Sequence, residues 1–308
     1  MQKRGKTNLG KQRWFCTFCN QSAIRKRIDL RNLYLEKQFI RWLTGNSSLE
    51  EIASKRKESK RTLIRKFNTY WRNLSQPTIK TLPDNYILIS DGVYIHKREC
   101  CVLIARSKTS VISWKFVDYE SSITWCSFFK TLKQPKAITC DGQKGMILAI
   151  KTLWPTTRIQ RCFAHFIRSE QIYLTKRPKT QSGKELLDLI KKLPCVWTRR
   201  QKRKWIHSYW KLFKKYSVFL KERSYFTNVN GATHWWYTHR HLRSAYYFIK
   251  HCLPYMFTYI GHYDVPRTSN HVEGGINARL KELIHRHRGL SIERKKVLVS
   301  YFLTSKQY

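Results

Sequence analysis

The chain has 308 residues, 42% of them hydrophobic, which is enough for one large domain or for two or three smaller ones with cores of their own. Its 61 Lys and Arg residues against 19 Asp and Glu residues give a formal net charge of +42, which predicts a nucleic-acid partner. There is no apolar run of membrane-spanning length, and the N-terminus "MQKRGKTNLGKQRW" lacks the apolar stretch of a secretion signal. We therefore expect a cytoplasmic, nucleoid-associated protein without a membrane partner, and its nine cysteines, an odd number, favour reduced thiols.

Residues 1–28 contain a cysteine pair that matches half of a zinc site. In "RWFCTFCN", Cys16 and Cys19 have the C-x-x-C spacing of a tetrahedral zinc ribbon. No second C-x-x-C lies nearby, and no histidine occurs before His96. Two interpretations stay open: a partial zinc ribbon whose first half lies upstream of this start, or a plain cysteine pair without metal.

Residues 29–76 predict a helical DNA-binding module. Apolar residues recur at helical spacing in its first helix: Leu33, Phe39, Ile40 and Leu43. Ser48 and Glu51 have capping-box spacing for a second helix, and Ser59 can cap a third. A tight turn before a basic last helix is typical of a helix-turn-helix, with an ordinary basic helical bundle as the alternative. DNA contacts are expected from the basic residues of the last helix: Lys60, Arg61 and Arg65.

After the polar segment "SQPTIKTLPDN" the pattern changes to strands. "YILISDGVYI", "CCVLIARS" and "VISWKFVDY" predict an antiparallel meander, followed by an alternation of helix, strand, helix and strand through residue 174. This order is the one used by ribonuclease-H-like nucleases, and it predicts an α/β fold with a mixed sheet. Residues 175–262 have only helical periodicity, which predicts an inserted all-α block. A last helix over "TSNHVEGGINARLKELIHRH" is expected to be capped by Thr268, Ser269 or Asn270.

Three acidic residues differ from the others, most of which lie on solvated helix faces. Asp91 and Asp141 each follow an apolar strand and precede glycine, and Glu273 lies early on the last helix. Either Asp-Gly pair alone is first of all a turn signal. Together, on neighbouring strands, the acids would repel each other unless cations joined them, and two Mg²⁺ or Mn²⁺ ions about 4 Å apart would do so. Asp118 and Asp264 are the competing candidates for a third acid or a spare ligand.

The motifs "SDG", "CDG", "RCFAH" and "TSNHVEGGINARLK" together resemble the DDE transposases of the Mutator-like bacterial insertion-sequence superfamily, over residues 86–290. The resemblance implies a ribonuclease-H-like core formed by residues 84–174 and 263–308, with the helical insertion between them. It implies that Asp91, Asp141 and Glu273 bind the metal ions. It also implies Mg²⁺-dependent cleavage of double-stranded DNA at terminal inverted repeats, strand transfer into target DNA, and a homodimer or higher oligomer on DNA.

The resemblance assigns DNA contacts as well, each with a plainer alternative. Cys162 and His165 match a C-x-x-H signature that positions DNA or braces the site, unless Cys162 is core and His165 a satisfied buried histidine. Trp235 and Trp236 match aromatics that hold an extruded base, although core packing of the inserted helices is the favoured role for at least one of them. Arg286 and Arg288, in "HRHRGLSIERKK", suit phosphate contact or a solvated helix face.

Two other functions remain open at this point: a catalytically inactive DNA-binding relative, and a nuclease of the same fold that does not join strands. All three acids are present in the sequence, which counts against a catalytically inactive relative. Relatives usually begin with another C-x-x-C, so we expect that this N-terminus is either a late start or a truncated copy, which affects zinc binding but not the acids.

Overall fold

The computed structural model describes residues 1–8, 10–24, 28–45, 47–72, 77, 82–96, 99–269 and 276–307, with the backbone alone for residues 28–31. The chain divides into two compact units, Met1–Ser75 with Val297–Phe302, and Gln76–Lys296 with Leu303–Tyr308. Within the described residues, no helix is both long and apolar enough to cross a membrane.

The first unit begins with a small antiparallel sheet that the sequence did not predict. Its strands are β1 (Gln2–Lys6), β2 (Gln12–Phe15) and β3 (Ser22–Ile24), paired in that order. Cys16 and Cys19 lie in the turn between β2 and β3. The two thiols are therefore neighbours at one end of this sheet.

Three helices follow: α1 (Ile28–Thr44), α2 (Leu49–Lys55) and α3 (Lys60–Phe67). The predicted capping box is confirmed, because the Ser48 hydroxyl accepts from the Glu51 N–H at 3.1 Å and the Glu51 carboxylate accepts from the Ser48 N–H at 3.3 Å. These two bonds satisfy amide donors that the first turn of a helix leaves without partners.

The cap of α3 is confirmed as well, because the Ser59 hydroxyl accepts from the Thr62 N–H at 3.1 Å. Leu63 and Phe67 of α3 are buried, whereas Ile64 is exposed. Leu33, which the helical spacing places with the apolar residues of α1, is exposed as well. Helical spacing identifies a candidate apolar stripe, and packing decides which of its members are covered.

The second unit is built on a five-stranded sheet, which confirms the α/β class. Its strands are β4 (Ile87–His96), β5 (Cys100–Arg106), β6 (Val111–Val117), β7 (Ala137–Cys140) and β8 (Arg158–Arg161), in the order β6-β5-β4-β7-β8. The first three pair antiparallel, as the predicted meander requires, while β7 pairs parallel with both β4 and β8. The sheet is therefore mixed, and its first and fourth strands are neighbours.

Helices α4 (Ser122–Phe129) and α5 (Lys144–Leu153) cover one face of this sheet. Their buried Trp125 and Met146 belong to one apolar cluster with Ile138 of β7. Successive strand residues point to opposite faces, and Ala137 of the same strand accordingly belongs to a second cluster, formed with the helices that follow. Burial on both faces explains why apolar residues of β7 point to both sides of the sheet.

The second cluster is made of four helices: α6 (Phe163–Leu174), α7 (Gln181–Lys191), α8 (Arg199–Lys215) and α9 (Arg240–Met256). The insertion is not all-α, however. It contains an antiparallel hairpin of β9 (Arg223–Thr227) and β10 (Thr233–Tyr237), so this prediction is wrong. Asn230–Gly231 closes the loop with a positive φ of 76° at Gly231, and an Asn-Gly pair between aromatic and β-branched residues is a hairpin signal.

The chain ends in α10 (Asn277–Arg286) and α11 (Ile292–Thr304). Because α10 begins at Asn277, neither Thr268 nor Ser269 caps it, and the predicted cap is wrong for these two residues. Asn270 and Glu273 lie outside the described residues. Ser269 instead lies in a buried position beside α6.

The buried Glu170 of α6 should make the free energy of unfolding depend on pH. Its side chain is fully buried, and in the described part of the chain neither carboxylate oxygen has a hydrogen-bond partner. Burial raises its pKa from the ordinary 4.5 to about 9, against the opposing charge of Arg161. The folded state then holds a proton that the unfolded state loses, so the free energy of unfolding should fall as pH rises from about 4.5 to about 9.

Glu170→Gln should remove this fall, making the variant more stable than the parent by on the order of a few kcal/mol at alkaline pH, since one pKa unit corresponds to about 1.4 kcal/mol. Urea unfolding across that pH range measures it. Asp188→Asn, at an exposed acid of α7 that pairs with Lys191, is the matched control and should follow the parent. Parallel curves for Glu170→Gln and the parent would contradict the prediction.

Candidate active site

Asp91 and Asp141 lie side by side because β4 and β7 are parallel neighbours. The register pairs Ser90 with Cys140, so each aspartate directly follows one member of a pair. Asp91 lies inside β4, which continues to His96, and the turn alternative is therefore wrong for this residue. Asp141 follows the end of β7, and its Gly142 has a φ of 80°, so a turn does exist there.

Asp91 is held by three elements at once. The residue is only 8% exposed. Oδ1 accepts from the Gly92 N–H at 3.0 Å, and Oδ2 accepts from Asn277 Nδ2 at 2.7 Å. Nε2 of His165 lies 4.0 Å from the same Oδ2. The first residue of α10 and a histidine of α6 thus converge on one carboxylate of the central strand.

Glu120, which sequence reasoning missed, lies near the two aspartates. Burial, together with the charges of Asp141 and Asp91, raises the pKa of its carboxyl group to about 7. Burial likewise raises the pKa of Asp91 to about 6, where His165 opposes the shift and Asp141 adds to it. Asp118 is exposed, so the acid two residues earlier was the less suitable candidate. The only available signal was the position of Glu120 at a strand-to-helix junction.

These three acids are a concentration of negative charge in a very basic chain. In the described residues, none of Asp91, Glu120 and Asp141 forms an ion pair with Lys or Arg, and His165 is the nearest cation to Asp91. Uncompensated carboxylates in a partly buried position are unfavourable. The described residues therefore leave this concentration of negative charge without a Lys or Arg ion pair.

The donor chemistry fits Mg²⁺ or Mn²⁺, which prefer carboxylate oxygens and retained water. Oε2 of Glu120 is fully buried and has no hydrogen-bond partner among the described residues, as expected of a ligand atom. The described residues contain no group of three or more His, Cys, Asp or Glu side chains already arranged around a metal position. Glu273, the third acid of the predicted triad, lies outside them.

Cys162 and His165 lie beside Asp91, with Cys162 buried and His165 partly exposed. The Cys162 side chain is fully buried, so the prediction that it contacts DNA is wrong. Its Sγ accepts from the Ser269 N–H at 3.3 Å. A hydrogen bond with Cys162 raises the pKa of His165 to about 9, although burial opposes this, and the charge of Asp91 contributes. The burial of Cys162 agrees with the plainer alternative, in which it is a core residue, while His165 lies beside Asp91.

The two tryptophans lie on β10 and point to opposite faces of the hairpin. Both are about half exposed, at 48% for Trp235 and 47% for Trp236, so neither is core. Trp235 stacks with Arg223, whose guanidinium carbon is 4.1 Å from the ring centroid. Trp236 instead lines an open groove of about 640 Å³ together with basic and aromatic residues: Tyr173, Arg177, Lys179, His239 and Arg240.

The remaining predicted contacts are at the surface. Lys60 pairs with Glu50, and Arg286 pairs with Glu282 at 2.5 Å, so both charges are partly neutralised. Three of the predicted phosphate contacts are exposed: Arg61, Arg65 and Arg288.

The cysteine pair of the N-terminal sheet is accessible as well. Cys16 is partly exposed and Cys19 exposed, and backbone N–H groups of Cys19 and Phe18 lower the pKa of the Cys16 thiol. A thiolate is the form that binds metal. The described residues nevertheless offer a zinc ion only these two ligands at this turn.

Comparison with known proteins matches residues 84–239 to the family described as "Transposase, Mutator family". The chain is also 26% identical over 138 residues to the transposase for insertion sequence element IS256 in transposon Tn4001 of Staphylococcus aureus. The same holds for the protein of that name in Enterococcus faecalis. Each match covers 40% of this chain and 35% of the relative, so the chain spans about a third of the length of these relatives.

The matched region begins just before β4 and includes Asp91, Glu120, Asp141 and His165, together with most of the insertion. It is just over half of the 308 residues. The chain belongs to the Mutator family of transposases.

Proposed function

We propose that the protein is the DDE transposase of an insertion sequence, which cleaves double-stranded DNA at terminal inverted repeats and transfers the freed strand to target DNA. The observation that carries this proposal is the position of Asp91 beside Asp141 on parallel neighbouring strands, with α10 bonded to Asp91. The names of the relatives, transposases for an insertion sequence element, support it. The mixed sheet order supports a ribonuclease-H-like core.

Asp91, Asp141 and Glu273 are the proposed metal ligands. When bound there, two Mg²⁺ or Mn²⁺ ions would activate the attacking water or 3′-hydroxyl and stabilise the departing oxygen. The chain's own residues prepare this position: Asn277 and the Gly92 N–H orient the two oxygens of Asp91. The imidazolium of His165 offsets part of its charge before any cation arrives.

DNA would be bound along the basic surface of both units. Lys60, Arg61 and Arg65 of α3 are the proposed phosphate contacts of a helix-turn-helix. Trp236 and the basic side chains of its groove are suited to an unpaired base, because stacking and cationic side chains act together there. We further propose a homodimer or higher oligomer on DNA, in which two ends can be joined. A zinc ion on Cys16 and Cys19 needs two further ligands.

A catalytically inactive relative that only binds DNA is the second candidate function. It is favoured by the described residues, which contain no group of three His, Cys, Asp or Glu side chains arranged to bind a metal ion. A nuclease without strand transfer would cleave the same DNA but leave no joined product. One assay separates all three: incubation with labelled terminal-repeat DNA, target DNA and Mg²⁺, followed by analysis of nicked and joined strands.

Asp91→Asn, Asp141→Asn and Glu273→Gln should each lower Mg²⁺-dependent cleavage by at least about 100-fold, because each removes charge stabilisation from the transition state. DNA binding, measured by gel shift, should remain. Asp264→Asn is the matched control, since this exposed acid pairs with Lys136 at 3.1 Å, away from the aspartate pair. Undiminished cleavage by any of the three variants would remove that residue from the site.

DNA affinity should fall steeply with salt, with a log–log slope of about −0.9 for each phosphate neutralised. Arg61→Ala should make the slope less steep by about 1. Lys60→Ala is its matched neighbour and should change the slope less, because Glu50 already neutralises Lys60. Fluorescence anisotropy across a salt series measures both, and a flat response of the parent protein would contradict phosphate-led binding.

Trp236→Ala should weaken binding of DNA with an unpaired base by about 1 to 3 kcal/mol, the usual contribution of one stacked base. Trp235→Ala should have a smaller effect, since its ring already stacks with Arg223. The two variants lose the same side chain from the same strand, so they control for each other. Equal losses in anisotropy titrations would contradict the assignment of the base to the Trp236 groove.

A further inference from the structure

Glu120 lies near the point at which β4 and β7 cease to pair. It occupies the junction between β6 and α4, directly before Ser121, which caps α4. The pairing of β4 with β7 ends at Ser90, so beyond this point β4 has no parallel neighbour on that side. Side chains from both faces of the sheet can meet at this edge.

The space that Glu120 fills exists because residue 92 is glycine. A Cβ on Gly92 would lie 2.4 to 2.6 Å from the Cδ and both oxygens of the Glu120 carboxyl group. Gly92 is not among the residues with positive φ, so its backbone conformation does not require glycine. A side chain at residue 92 would therefore clash with Glu120, and this close approach, not a turn, is what requires glycine here.

The carboxyl group of Glu120 is compensated only in part, by the nearby side chains of Cys101 and Trp125. Among the described residues, Oε2 of Glu120 is fully buried without a hydrogen-bond partner, and the side chain forms no ion pair. The charges of Asp141 and Asp91 act on it from close by. Burying a carboxyl group in this way is unfavourable unless something else binds it.

We infer that Glu120 is a fourth carboxylate of the active site and binds one of the two divalent cations together with Asp91. This inference rests on the proposed function, because it assigns a further ligand to the same metal position. Other acids near the sheet do not fit the role. Asp118 is exposed, and Asp264 is paired with Lys136.

The test is the binding of Mn²⁺ to the full chain, titrated by electron paramagnetic resonance and calorimetry without DNA. Glu120→Gln keeps the size of the side chain and removes its charge, and it should weaken Mn²⁺ binding at least about 10-fold for one ion. Asp118→Asn removes the same charge two residues away and should bind Mn²⁺ as the parent does. Asp91→Asn should lose binding at both positions.

Gly92→Ala is a second and independent variant. Its methyl group would displace only the flexible end of Glu120, so the protein should fold while Mn²⁺ binding falls as in Glu120→Gln. Without cation, Glu120→Gln should unfold at the same or a higher temperature than the parent, because a repelled carboxylate is gone. A merely structural Glu120 would give the opposite: lower cation-free stability and unchanged Mn²⁺ affinity.

The outcomes separate the two proposals. A parent protein without Asp91-dependent Mn²⁺ binding would refute the metal chemistry of the proposed function. Parent-like Mn²⁺ binding by Glu120→Gln and Gly92→Ala, with binding lost in Asp91→Asn, would overturn the role of Glu120 and leave the proposed function standing.

Discussion

The parallel pairing of β4 with β7 is the constraint on which the site depends. It sets Asp91 beside Asp141, and the end of this pairing at Ser90 opens the edge at which Glu120 arrives. In a chain of net charge +42, these carboxylates are nevertheless without ion pairs to Lys or Arg in the described residues. The absence of such ion pairs among the described residues supports the proposed binding of Mg²⁺ or Mn²⁺ at this position.

The contacts of Asp91 fix the position of its side chain and offset part of its negative charge. A backbone N–H and the Asn277 amide bind its two oxygens, and the Cys162–His165 pair stands behind it. Because Cys162 is buried and Ser269 donates to its sulfur, the segment before α10 is attached to the start of α6. The first residue of the C-x-x-H signature thus contributes to packing between Ser269 and the start of α6.

Local signals were predicted well, because their physical cause lies within a few residues. The capping box at Ser48 and the cap at Ser59 are hydrogen bonds across three residues, and the apolar runs of β4 and β7 reflect burial on both faces. The β9–β10 hairpin was missed because its exposed aromatic strands lie among strongly helical segments, and its Asn-Gly signal was overlooked. Glu120 was missed because only its position at a strand-to-helix junction distinguishes it from a solvated acid.

By itself, the sequence determined the α/β class, the expectation of a polyanionic partner and the positions of the two Asp-Gly pairs. The periodicity of apolar residues, the net charge and the acids at strand ends can all be recognised without knowing which residues meet in the fold. Only the tertiary structure decided that the two aspartates are neighbours, that Glu120 joins them and that Cys162 faces inward. It also decided that Trp235 and Trp236 point apart. These outcomes depend on strand register and on which faces are covered, and such long-range pairings are set by the packing of the whole domain.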